Sequence, residues 1–269
     1  MKKILIALII TVLISNVVFA QKDDDNIDDK INIPKDWKGK EKIVIPDGEL
    51  TKVVFIKYNQ PISHTIEQVV TTGDNNGYEL SGLWWKLGKY PGGVPYTINP
   101  SKAVKNYRLR QSDVVSAVIN SMEEWDTAVT SDLYNNVVVI NNVARASTAR
   151  PDYKNVISWA SVSDPNIVAV AWMWYYTTSK ELIDADIIFS TNYRWGIDPD
   201  GEGTTYSLSN AMDIQNVGTH EAGHLTGLND LYSPDTLELM TMWGYTSYGE
   251  VIRRSPESGD VEGARAVYP

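Results

Sequence analysis

Eleven residues decide the reading of this chain: His220-Glu221-Ala222-Gly223-His224-Leu225-Thr226-Gly227-Leu228-Asn229-Asp230. On an α-helix, His220 and His224 fall one turn apart on one face, so both imidazoles can meet a single metal ion. Glu221 sits beside them, placed to take a proton from a water that the metal activates. Gly227 can adopt the left-handed conformation that ends a helix and turns the chain sharply. That turn can bring back Asp230 as a third ligand, an oxygen donor that zinc accepts at about 2.0–2.2 Å. The chain has three histidines, and the third is His64. Two of three at this spacing, followed by a glycine and a carboxylate at these offsets, argue for a metal centre over a pair of surface histidines.

Composition bounds what such a centre can serve. The 269 residues are 43% hydrophobic and 22% charged, which suits one large globular domain with or without a small appendage. The chain has no cysteine, so disulfides, thiolate zinc sites and a cysteine nucleophile are excluded. A net charge of −10 argues against nucleic acid as the main partner. Met1-Lys2-Lys3, an apolar run over residues 4–14 and the small residues around Val18-Phe19-Ala20 read as a secretory signal peptide over residues 1–20. The rival reading, a retained membrane anchor, is weakened by Ser15 and Asn16 within the run. The expected protein is therefore secreted, extracellular and monomeric, with no stable membrane association once the signal is removed.

Residues 21–81 form an N-terminal pro-segment or linker in this reading. They open with Asp23-Asp24-Asp25 and Asp28-Asp29, contain one strand over residues 53–58 (VVFIKY), and reach turn material at residues 71–77. Residues 82–269 form the main domain. Strands are expected at residues 94–99, 137–140, 156–160, 168–176 and 183–189. Helices are expected at residues 112–129, with Ser112-Asp113 as cap, at 213–228, and at 258–268. The class is α+β: a twisted mixed sheet of about five strands with three helices, one of which carries the two histidines.

The pattern HExxHxxGxxD followed by a methionine turn resembles the metzincin metallopeptidases, and its details look most like their matrixin-like branch. Thr241-Met242-Trp243 is similar to the turn that lays a methionine beneath the metal, with Met240 ranking second. Residues 83–86 with 94–100, the stretch Met122-Glu123-Glu124-Trp125, residues 184–189 and residues 257–268 resemble other parts of a matrixin catalytic domain, so the similarity covers about residues 82–269. It implies a secreted zinc endopeptidase with His220, His224 and Asp230 as metal ligands and Glu221 as general base. The protein or peptide substrate would lie extended along an exposed edge strand at residues 168–176, beside a pocket walled by Gly244-Tyr245-Thr246-Ser247-Tyr248, where Tyr245 and Tyr248 would meet it. Calcium is a further expected cofactor, at Asp198, Asp200 and Glu202 in a glycine-rich acidic loop, although an acidic solvated turn is the plainer reading.

Two departures from the family matter. Asp230 stands where matrixins carry a third histidine, which leaves a weaker Lewis acid. No cysteine is present to silence a zymogen, so latency would need another ligand, for which His64 and Asp74 are the candidates. A second hypothesis, from another class, is a catalytically idle, metal-containing secreted domain that binds proteins through a Trp- and Tyr-rich cleft. Glu221 disfavours it, because a structural site has no use for a base there.

Overall fold

The computed structural model describes residues 30–33, 40–45, 48–59, 77–203 and 208–269. In chain order the elements are β1 (Lys30–Ile31), β2 (Lys40–Ile45), β3 (Gly48–Asn59), β4 (Tyr96–Ile98), α1 (Ser101–Tyr107), α2 (Gln111–Ala128), β5 (Val139–Ile140), β6 (Asn155–Val162), β7 (Ile167–Tyr176), β8 (Leu182–Ser190), β9 (Trp195–Gly196), β10 (Met212–Asp213), α3 (Ile214–Thr226), β11 (Tyr245–Thr246) and α4 (Ser258–Val267). The class is α+β. Nine strands form one mixed sheet in the order β11-β3-β7-β8-β6-β4-β5, with β1 on β6 and β2 on β3, while β9 and β10 pair separately. The signal segment and both latency candidates, His64 and Asp74, lie outside the described residues. Among the described residues no helix is long and apolar enough to cross a membrane.

Strand β7 is apolar on both faces because both faces are covered. Along β7, Ala169, Ala171, Met173 and Tyr175 face the helices, while Ile167, Val170, Trp172 and Trp174 enter a second core on the other side. That second core is completed by Ile33, Leu50 and Val54 from the N-terminal segment. The sheet is therefore larger than the expected five strands. Residues 48–59, read as part of a linker, are an integral strand of it.

Two helical expectations need correction. Among the described residues there are four α-helices rather than three; the extra one, α1, begins directly after Pro100, whose helical φ of −83° starts it. Helix α2 begins at Gln111 with Arg110 as its N-cap, so Ser112 and Asp113 sit inside its first turn rather than capping it. Asp113 instead accepts a hydrogen bond from Arg110 Nε at 2.8 Å. Its apolar stripe, including Val114, Val118, Met122 and Trp125, packs against α3 and holds that helix in the middle of the molecule.

Candidate metal centre

Helix α3 is buried over its whole length except at Gln215. Asp213 caps it, accepting from Asn216 N at 2.8 Å, and is itself fixed by Arg254. Three aromatic side chains donate to its main-chain carbonyls: Trp125 to Thr219, Tyr134 to Ala222 and Trp85 to Leu225, at 2.8, 3.2 and 3.0 Å. Gly227 ends the helix in the left-handed region, at φ 106°. A Cβ there would lie 2.6 Å from the Leu83 carbonyl, so the sharp turn needs glycine twice over.

Beyond that turn, Leu231 N donates to Met242 O and Gly244 N donates to Leu231 O, at 2.8 and 2.9 Å. This pairing fixes Asp230 over the helix. His220 Nε2 and His224 Nε2 then lie 3.1 and 3.6 Å from the same Asp230 oxygen, and these three atoms are within 4.8 Å of one another. Ligands at about 2.1 Å from a tetrahedral metal are roughly 3.4 Å apart, close to the two histidine–aspartate distances here.

The protonation pattern points the same way. His220 Nδ1 donates to Thr241 O at 2.7 Å and His224 Nδ1 to Leu228 O at 2.9 Å. With Nδ1 donating, each ring turns its Nε2 toward Asp230. Burial, and after it the Lys57 charge, lowers His220 to about 3, so that ring stays neutral. Both Nε2 atoms and Asp230 Oδ1 are buried without a hydrogen-bond partner. Two ring nitrogens facing one carboxylate oxygen call for a positive charge among them, which a metal ion would supply. The donor set of two imidazoles and one carboxylate fits zinc.

Glu221 follows His220 on the helix, fully buried, with both carboxylate oxygens unpartnered. Burial, with the Asp230 charge adding to it, raises its carboxyl well above the usual range. Met242 is buried against the helix: a Cβ on Gly223 would collide with Met242 Sδ and lie 2.6 Å from the Trp125 ring. Asp260 of α4 pins the turn, accepting from Thr241 N at 2.7 Å and Met242 N at 3.2 Å.

The other expected site residues divide. Tyr245 lies on β11 beside the centre, with its ring 5.3 Å from Tyr232 and 6.2 Å from Trp243. Tyr248 is exposed and leans on Tyr193, ring centroids 5.8 Å apart. The three carboxylates proposed for calcium do not converge. Asp198 accepts from Asp200 N, and Glu202 accepts from Arg254 N, Ser255 N and Ser255 Oγ. Among the described residues, His220, His224 and Asp230 are the one group of three placed to share an ion.

Strand β7, expected as an exposed edge, is covered by β3. Two side chains of β3 reach the centre. Phe55 stacks on His224, centroids 4.2 Å apart and planes 12° apart. Lys57 is fully buried, with Nζ 3.0 Å from His220 Nδ1 and donating to the Trp243 carbonyl. Burial lowers its ammonium to about 7, with Arg253 adding to the effect. Nothing in VVFIKY signals either contact, because each partner lies more than 160 residues away in sequence. No protein-family model matches this chain, and no curated protein matches it.

Proposed function

We propose that the chain is a secreted, metzincin-like zinc endopeptidase. The observation that carries this reading is the triad of buried, unpartnered ligand atoms with an unpartnered Glu221 on the same helix. Zinc bound there would supply Lewis acidity toward a peptide carbonyl and lower the pKa of a water to about 7. The residues of the chain do the rest. Thr241 and Leu228 carbonyls hold the imidazoles in the ligating tautomer. Glu221, in its ionised form, takes a proton from the attacking water and returns it to the leaving amine. Met242 and Gly223 bring turn and helix into contact beneath the ligands, which keeps the triad from relaxing.

The second reading, an idle metal-containing binding domain, is favoured by one observation: β3 lies over the centre. One experiment separates the two. The full chain and its Glu221→Ala variant are loaded with zinc, zinc per chain is measured, and each is incubated with denatured casein. The peptidase reading expects one zinc per chain in both and fragments from the wild type alone. Equal zinc and no fragments from either, after β3 has been loosened as described below, would move the conclusion to the binding domain.

A further inference from the structure

Strand β3 is two strands in one. Its first half, Gly48 to Val53, pairs with β2 on one side and β7 on the other, and Leu50 and Val54 are built into the second core. Beyond Val53 the pairing with β2 stops. The second half crosses the metal centre with β7 antiparallel on one side and, at its end, β11 parallel on the other. Strand β11 joins the sheet through β3, so the end of β3, Tyr58 and Asn59, fills a slot one strand wide, and residues 55–57 lead into it along β7.

The contacts inside the slot are those a bound peptide makes. Main-chain bonds reach both walls: Tyr58 N donates to Gly244 O at 3.3 Å and Asn59 N to Asn166 O at 3.0 Å. Alternate side chains point down into the site. Phe55 lies on one ligand imidazole and Lys57 touches the other, so the backbone at Ile56 passes over the ligand cluster. A register irregularity falls between Lys57 and Tyr58, directly past the centre. Strand addition of this kind takes affinity from main-chain bonds and selectivity from every second side chain.

On the peptidase reading above, we propose that residues 55–59 occupy the groove in which this enzyme holds its substrate. The chain folds with a pseudo-substrate of its own in place and is latent while that strand stays there. The groove takes an extended peptide with an aromatic or large apolar residue over His224. Two positions later it takes a long amine-bearing side chain reaching the Trp243 carbonyl. Latency here comes from strand occupancy, and no side chain of β3 ligates the metal.

Two full-chain variants and one peptide test this. Phe55→Ser with Lys57→Ser loosens the second half and leaves Leu50 and Val54 anchored. Ile56→Cys with Val170→Cys, directly opposite each other, can be oxidised to tie β3 to β7 in a chain that has no other cysteine. The probe is a fluorescent peptide of residues 50–59. The loosened variant should cleave denatured casein at least tenfold faster than wild type, and the oxidised lock at least tenfold slower than the same protein reduced. The labelled peptide should bind the loosened variant but not the oxidised lock, and at least tenfold more weakly when its lysine at position 57 is alanine. Equal rates in all forms overturn the proposal, as does failure of the peptide to bind a loosened variant that unfolds cooperatively in urea. If the loosened variant does not fold, oxidised and reduced forms of the lock decide by the same rate comparison. Peptide binding with the lysine dependence but no cleavage by any form keeps the groove and removes the peptidase reading.

Discussion

Helix α3 and strand β3 meet the same two imidazoles from opposite sides, and they are held in opposite ways. The helix is clamped by an N-cap, three side-chain donors, a glycine turn and the Met242 contact. The second half of β3 is held by main-chain bonds to two walls and by two side chains that rest on the site. On the proposal above, one region is organised in advance and the other is replaceable. A site that must fix three ligands needs the first kind of support, and a groove that must exchange occupants needs the second.

The largest effect expected on the helix side is at Glu221. In the loosened Phe55→Ser/Lys57→Ser chain, Glu221→Ala should reduce casein cleavage by about 10²–10⁴-fold while zinc per chain stays near one, since the residue is not among the ligands. His224→Ala should lose zinc as well as activity. If Glu221→Ala kept full activity, the helix would be scaffold only, and the contrast with β3 would reduce to packing.

Next comes the floor beneath the ligands. Gly223→Ala places a methyl group against Met242 Sδ and the Trp125 ring. Overpacking of this kind costs about 1–3 kcal/mol or more, read as a lower urea midpoint. Pairing it with Met242→Ala, itself a cavity-forming change, should show non-additivity, the double variant losing less than the sum. Additive losses would mean that the turn does not brace the helix. The same two variants should leave hydrogen exchange in β3 almost unchanged, since Met242 and Trp125 are what press on Gly223.

What could be read from the sequence follows the same division. His220, His224, Gly227 and Asp230 were legible because helical spacing and one left-handed turn are local facts. Their convergence needed only ten residues of chain. Strand 53–58 was legible as a strand, but its place was not: pairing with β7 and β11 spans over a hundred residues, and apolar alternation carries no address. Ser112-Asp113 misled as a cap, and the acidic loop was ambiguous, for a related reason. Carboxylates and hydroxyls suit caps and ions equally, and here Asp113 bonds Arg110 and Glu202 bonds Arg254 and Ser255, partners set by tertiary packing. Gly223 went unnoticed because a glycine in mid-helix gives no sign of what presses on it.

The smallest effect expected concerns how the methionine turn is tied to α4. Burial raises Asp260 to about 6, although Thr241, Glu257 and Met242 N–H groups pull it back toward ionisation. The folded state therefore holds this proton more tightly than the unfolded chain, whose carboxyl titrates near 4. The stabilisation is fully present below about pH 4 and is lost as pH rises through 6. Asp260→Asn cannot titrate, so between pH 4.5 and 7.5 its urea stability should change less than that of wild type, by about 1–3 kcal/mol. Asparagine also turns an NH₂ group toward some of the donors that Asp260 accepts from, so the variant should be less stable than wild type at pH 4.5. If both proteins follow the same pH curve, Asp260 is neutralised in another way and the turn is held by Thr241 Oγ1 and the Leu231 pairing instead. If the curves differ as expected, the braced side of the site loosens as pH rises, and hydrogen exchange at residues 241–243 should quicken over the same range without a matching change in β3.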